Sequence, residues 1–105
     1  MTTSRLDTFR AMVVKSPTNA LARFGLANEA IKEGLWAEAA EQLEAYLELY
    51  DDEGNGFGRL AEAYSKLGRT DDARRSLERG VKAAEKYGHP SMASELRQRM
   101  EELAE

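Results

Sequence analysis

The fold is decided by residues 57–77, which read FGRLAEAYSKLGRTDDARRSL, because the same skeleton occurs 34 residues earlier. There, residues 23–43 read RFGLANEAIKEGLWAEAAEQL. The shared positions are Leu26 and Leu60, Ala27 and Ala61, Gly34 and Gly68, Ala39 and Ala73, and Leu43 and Leu77. A fixed period of this length is typical of a helix-turn-helix unit that stacks on copies of itself.

The composition favours a soluble all-α domain. The chain has 105 residues, of which 42% are hydrophobic and 32% are charged, and its mean hydropathy is -0.62. Good helix formers dominate, whereas Ile31 and Val81 are the only Ile or Val residues after Lys15. A β-sheet core is hard to build from so few of them. At this length we expect one domain.

The apolar spacing and the positions of Gly and Pro predict six helices. Their expected bounds are 4–15, from Pro17 to 33, 36–50, 57–67, 70 to the glycine at 88, and 90–103. Gly34 and Gly68 are expected to end helices in a left-handed conformation, and Gly88 to end the fifth helix. Residues 51–56 are the clearest loop, and Thr70 is expected to cap the fifth helix with its hydroxyl group.

This pattern resembles the tetratricopeptide repeat. In the second copy, an aromatic residue, Leu-Ala, Tyr, Ala and a bulky apolar residue follow one another at Phe57, Leu60, Ala61, Tyr64, Ala73 and Leu77. The first copy fits less closely, with Arg23 in the aromatic position and Ala30 in the Tyr position. The resemblance implies a helix-turn-helix solenoid over residues 1–105. Its parts are a half-repeat over 4–17, repeats over 19–52 and 53–88, and a capping helix over 90–104.

The resemblance also implies a function: a scaffold without catalysis that binds a peptide or helix of another protein in its concave groove. The first helix of each repeat lines that groove in the family. The corresponding positions here are Leu21, Phe24, Asn28, Ile31, Lys32, Asn55, Gly58, Glu62, Ser65 and Lys66, with Ser94, Gln98 and Glu101 on the last helix. Leu21, Phe24 and Ile31 have a second interpretation, as residues that pack beneath the first helix.

One ligand of the family is not expected here. Some members hold a C-terminal carboxylate with Lys, Asn, Asn, Lys and Arg. The corresponding positions here are Phe24, Asn28, Arg59, Ser91 and Glu95, so only Asn28 is kept. A carboxylate needs several converging donors.

Two alternatives to the peptide groove remain. One is self-assembly through exposed end helices, since two full repeats are few for a stack of this kind. The other is a calcium-responsive loop. Its oxygen ligands would be Asp51, Glu53, Asn55 and Glu62, with Gly56 at the bend. Glu53 is unusual at its position in such a loop, and the repeat pattern places Glu62 on a helix.

The remaining features make other function classes improbable. A net charge of -4 disfavours nucleic-acid and membrane partners. There is no Cys, and the single His89 lies beside Gly88 and Pro90, so we expect no enzyme activity, no metal and no cofactor. No signal peptide or membrane span is visible, and we expect a cytoplasmic protein.

Overall fold

The computed structural model describes residues 4–103, which form six α-helices and no β-strand. The helices are α1 (Arg5–Lys15), α2 (Ala20–Lys32), α3 (Trp36–Leu49), α4 (Asn55–Lys66), α5 (Thr70–Lys86) and α6 (Pro90–Leu103). The all-α prediction is confirmed, and the predicted helix bounds lie within two residues of the observed ones except at the start of α2. That helix begins at Ala20 rather than Pro17, because the Asn19 side chain caps it by accepting a hydrogen bond from the Ala22 N–H. Residue 104, which the predicted capping helix included, lies outside the described residues. Across residues 4–103, no helix combines the length and the apolar character that crossing a bilayer requires.

The start of α4 differs from the prediction. This helix begins at Asn55 rather than Phe57, inside the predicted loop. The buried carboxylate of Asp52 explains the early start: its Oδ1 accepts hydrogen bonds from the backbone N–H groups of Gly54 and Gly56, both at 2.8 Å. Such a side chain satisfies donors that the first turn of a helix otherwise leaves unpaired. The two glycines therefore belong to a capped helix start rather than to an irregular loop.

The start of α5 also differs. Arg69 is the residue at its N-cap, and no side chain provides a capping hydrogen bond there. Thr70 is the first helical residue, so the predicted capping by its hydroxyl group is wrong. Asp71 and Asp72 do lie in the first turn, where carboxylates interact favourably with the positive end of the helix dipole.

The chain divides into two compact units, Met1–Tyr50 and Asp51–Glu105. In the first unit, α2 packs against α1 and α3, and in the second unit, α5 packs against α4 and α6. The division falls in the connection between the two predicted repeats. Each unit thus holds one helix pair and one additional helix, while the single domain over residues 1–105 stays a prediction.

The repeated small residues lie where paired helices are closest. Ala27 and Ala39 are fully buried between α2 and α3, and Ala61 and Ala73 are at most 2% exposed in the second unit. The repeated leucines, Leu26, Leu43, Leu60 and Leu77, are likewise at most 2% exposed. A small side chain lets two helix backbones approach, and the leucines fill the space beside it. This packing is the physical reason for the 34-residue period.

The turns within each helix pair have the same geometry. Gly34 and Gly68 have φ values of 71° and 75°, as predicted for left-handed ends. The following residue closes the turn in both cases: the N–H of Leu35 donates to the carbonyl of Ala30, and that of Arg69 to the carbonyl of Tyr64, each at 2.8 Å. This is the Schellman arrangement, in which the last carbonyls of a helix are satisfied after a left-handed residue.

Ionic and apolar contacts hold α1 in the first unit. Leu6 and Phe9 pack against a buried cluster of Val13, Ala22 and Leu26. Arg10 binds Glu38 of α3 with two hydrogen bonds, Nη2 to Oε1 at 2.7 Å and Nε to Oε2 at 2.9 Å. These hydrogen bonds lower the pKa of Glu38, although partial burial opposes the shift. Paired bonds of this kind fix orientation as well as charge.

Candidate functional site

Two adjoining cavities run along the second unit between α4 and α6. Their volumes are about 360 and 210 Å³, and they share Glu62 and Arg99. We call the surface that they form the α4–α6 groove. Its lining residues are Asn55, Gly58, Arg59, Glu62, Ser65 and Lys66 on α4, Met92, Glu95, Leu96, Arg99, Glu102 and Leu103 on α6, and Gly54, Ala61 and Leu77.

The middle of the groove depends on a close approach between Gly58 and α6. A Cβ atom on Gly58 would lie 2.9 Å from Nη1 of Arg99 and 3.4 Å from Cδ2 of Leu96. In the space that the glycine leaves, Arg99 crosses the groove, and its Nη2 donates to the Gly58 carbonyl at 3.0 Å. The guanidinium of Arg99 therefore bridges the two helices where the two cavities meet.

The groove has an apolar base and a polar edge. Leu96 and Leu77 are at most 4% exposed, and Met92 and Leu103 are half-buried. The carboxylates of Glu62, Glu95 and Glu102 and the polar groups of Asn55, Ser65 and Lys66 belong to exposed residues. A concave surface with an apolar base and a few polar groups is the usual form of a binding site.

The segment that leads into α4 is attached to the end of α5. Asp51 accepts hydrogen bonds from the hydroxyl group of Tyr87 and from Nζ of Lys86, the latter at 2.9 Å. The Tyr87 hydrogen bond, followed by that of Lys86, lowers the pKa of Asp51, while the pKa of Tyr87 is raised by the same contact. These bonds fix the position of the segment that precedes the groove.

The same contacts bear on the calcium alternative. Asp51 binds Lys86 and Tyr87, and Asn55 and Glu62 both lie on α4 instead of on a loop that could wrap an ion. Among residues 4–103 there is no group of three His, Cys, Asp or Glu side chains arranged to hold a metal. The structure therefore gives the calcium-responsive loop no support, because helix formation from residue 55 separates the proposed ligands.

The predicted site residues of the second unit lie together. Asn55, Glu62, Ser65 and Lys66 all line the α4–α6 groove, as does Gly58. Their spacing along α4 keeps them on one side of the helix, which the repeat pattern had predicted.

The predicted site residues of the first unit lie on α2 and differ in exposure. Leu21 is 80% exposed, while Phe24 and Ile31 are half-buried and Lys32 is exposed. The centroid of the Phe24 ring lies 4.7 Å from that of the Tyr46 ring on α3, and the two rings are tilted relative to each other. Phe24 and Leu21 thus do not belong to the cluster of residues that packs beneath α1.

Two polar side chains on α2 also belong to the predicted set. Nζ of Lys32 lies 3.1 Å from Oε2 of the buried Glu29, which also accepts a hydrogen bond from Arg5 at 2.5 Å. The Arg5 hydrogen bond, and then that of Lys32, lowers the pKa of Glu29. The Oδ1 atom of Asn28 is buried, and no hydrogen bond reaches it from the described part of the chain.

The side of α6 that lines the groove was missed by sequence reasoning. The repeat pattern suggested Ser94, Gln98 and Glu101, but the groove is lined by Glu95, Arg99 and Glu102 instead. Ser94 lines a different cavity, beside Glu85 and His89. The repeat pattern assigns the same side of each helix to the groove. The two walls of a groove are instead formed by different sides of two helices. Leu60 recurs in the sequence as Leu96, and both leucines are buried, so this recurrence did indicate which residue of α6 packs inward.

The family model for the tetratricopeptide repeat matches residues 30–94 of the chain. No curated protein matches the sequence. The solution structure of protein BPP2914 from Bordetella parapertussis superimposes with a TM-score of 0.79, at 23% sequence identity. The match covers 98% of this chain and 90% of that one, and it supports the fold.

Proposed function

The chain belongs to the tetratricopeptide repeat family, and we propose that it is a binding module whose α4–α6 groove holds a peptide or helix of a partner protein. Membership of the family implies a protein partner. The observation that carries the proposal is the pair of adjoining cavities that form the groove, whose apolar base is bordered by exposed polar side chains.

The groove supports this role because its walls are already in place. Arg99 joins α6 to Gly58, and Asp52 fixes the start of α4. A preformed surface loses little conformational freedom on binding, which leaves more of the contact energy for affinity. An extended segment or an amphipathic helix can occupy such a groove with side chains at regular intervals.

The residues on α2 are a second part of the proposal. Leu21, Phe24, Asn28, Ile31 and Lys32 form the proposed partner-contacting set of the first unit. Leu21 supports it with an apolar side chain that is 80% exposed. Asn28 belongs to the set by its position on α2, although its Oδ1 atom is buried.

We propose no catalytic role for the chain. Members of this family are typically interaction modules, and a catalytic site requires a base that is oriented toward a reacting group. His89 is an exposed residue in the turn between α5 and α6, where its backbone N–H closes the helix end on the carbonyl of Ala84. Its position is explained by the turn.

Photo-crosslinking tests the groove. A photoreactive amino acid placed at Ser65, which lines the groove, is compared with the same amino acid at Ser94, which lines a different cavity. Both are exposed serines of the second unit. In lysate of the source cell, we expect a covalent adduct with another protein from position 65 and none from position 94. Equal adducts from both positions, or none from either, would contradict the proposal.

Self-association is a second candidate function, favoured by two exposed apolar side chains on α1. Val14 is 80% exposed and Met12 is 41% exposed on this helix. Sedimentation over a hundredfold range of protein concentration tests it. A constant monomer mass excludes this role, whereas a concentration-dependent mass that Val14→Ser reduces supports α1 as the interface.

A further inference from the structure

Three carboxylates are distributed along the α4–α6 groove. Glu62 borders both cavities, Glu95 borders the larger one and Glu102 the smaller one. All three residues are exposed. Within residues 4–103, none of the three forms a hydrogen bond or an ion pair. These negative charges are therefore open to a ligand.

The positive charges of the groove are already engaged. Arg99 donates to the carbonyl of Gly58. Arg59 and Lys66 also have interaction partners. The formal charges of the lining therefore balance, but only the three carboxylates lack a partner within residues 4–103. The net charge of -4 adds a long-range field that attracts cations.

The base of the groove fits the stems of long cationic side chains. Leu96, Met92 and Leu103 supply apolar surface in the same cavities that these carboxylates border. Lys and Arg bury an aliphatic stem on such a surface while the charged end remains at the edge. An acidic segment would instead place its charge beside Glu62 and Glu95, and like charges held close together cost free energy.

We propose that the α4–α6 groove binds a basic segment of the partner protein, with Lys or Arg side chains paired to Glu62, Glu95 and Glu102. This inference rests on the proposed function and specifies the chemistry of the partner. Glu95 and Glu102 are seven residues apart on α6, which corresponds to about 10 Å along the helix. Cations at positions i and i+7 of a bound helix, or i and i+3 of a segment in the polyproline II conformation, match that distance and lie on one side of the ligand.

Ion pairs between the partner's cations and the groove carboxylates act mainly on specificity and only weakly on affinity. Exposed ion pairs contribute little affinity each, because water and salt screen them. Complementary charges nevertheless accelerate association and exclude partners of the wrong sign. The inference therefore predicts a charge preference that can be reversed by changing the groove.

The test is a selection of 12-residue peptides from a random display library. The native chain is compared with the double variant Glu62→Lys/Glu95→Lys and with Glu41→Lys/Glu78→Lys as a charge-matched control. Glu41 and Glu78 are exposed, and neither lines the groove. Circular dichroism confirms that each variant keeps its helices.

We expect native and control proteins to select peptides with Lys or Arg at the spacings given above. The groove variant should select peptides with Asp or Glu. For the best basic peptide, Glu62→Gln/Glu95→Gln should raise Kd roughly three- to tenfold, and the control Glu41→Gln/Glu78→Gln less than twofold.

Other outcomes overturn the inference in distinguishable ways. Suppose that peptides without cations bind the native groove and lose affinity in Glu62→Gln/Glu95→Gln. The groove would then still be a binding site, as the proposed function requires, but a basic partner would be refuted. If basic peptides bound Glu62→Lys/Glu95→Lys and Glu41→Lys/Glu78→Lys with equal affinity, the overall charge of the protein and not the groove would be what attracts them. A selection without any groove-dependent peptide would refute the inference, and photo-crosslinking at position 65 then decides separately whether the groove has a partner.

Discussion

At Gly68 the chain turns from α4 into α5 with a φ of 75°. No heavy atom lies within 4 Å of a Cβ added there, so a substitution is strained only by its backbone conformation. We predict that Gly68→Ala lowers the free energy of unfolding by about 1 kcal/mol, because left-handed backbone is unfavourable for residues with a Cβ. Urea unfolding measures the loss. Gly68→Asn, which tolerates this conformation better, should lose less, and equal stability of Ala and Gly would contradict the argument.

Asp52 decides where α4 begins. Its Oδ1 receives the N–H groups of Gly54 and Gly56, and the residue is 3% exposed. We predict that Asp52→Ala lowers the free energy of unfolding by about 1–2 kcal/mol, since helix donors lose their acceptor. Asp52→Asn keeps an acceptor and should lose less in the same denaturant titration. If Asn and Ala were equally destabilising, the hydrogen bonds would not be the cause.

At the scale of elements, Gly25 decides how α1 packs on α2. A Cβ at this position would lie 2.2 Å from Cε1 of the Phe9 ring, so the ring must move. Overpacking of this kind typically costs about 1–3 kcal/mol. We predict that Gly25→Ala is destabilised by that amount in thermal or urea unfolding, although alanine favours helix.

A compensating change provides the control for this prediction. Phe9→Leu replaces the ring by a smaller side chain, so Gly25→Ala/Phe9→Leu should be more stable than the sum of the two single effects predicts. Strict additivity of the two changes would show that the contact between α1 and α2 is not responsible.

The ionic contacts of α1 predict a pH dependence. Glu29 has an ordinary pKa of 4.5, which hydrogen bonds from Arg5 and Lys32 lower in the folded chain. The folded state therefore binds this proton less readily than the unfolded state, and the contribution to stability is complete above 4.5. As the pH falls from that value through the lowered pKa, the contribution is lost.

Thermal unfolding between pH 6 and pH 3 measures this dependence, with the pH range taken from the ordinary carboxylate pKa. Glu29→Gln removes the titrating group, so the variant should lose less stability than the native chain over that range. An identical pH dependence of the two proteins would remove Glu29 from the explanation.

At the scale of the whole molecule, each helix contacts mainly its neighbours in sequence. Stability in such chains is the sum of local units and their nearest contacts. We predict that Gly25→Ala increases amide hydrogen exchange mainly in α1 and α2, and much less in α5 and α6. Hydrogen-exchange mass spectrometry resolves the two units. A uniform increase over the described chain would instead indicate one fully cooperative structure.

The sequence by itself determined the all-α class, the six helices and the turns at Gly34 and Gly68. These features depend on spacing and backbone preference within about 34 residues, and both are visible in a single chain. The sequence also placed Gly58, Glu62 and Ser65 on one side of α4, because helical periodicity alone fixes which residues share a side.

Only the tertiary structure decided which side of α6 faces α4. The hydrogen bond from Arg99 to Gly58 joins residues 41 positions apart, and the carboxylate of Asp52 starts a helix where two glycines suggested a loop. Both depend on where the backbone lies in space. A repeat pattern predicts that corresponding residues of successive helices face the same way. A groove, however, requires its two helices to present different sides to the space between them.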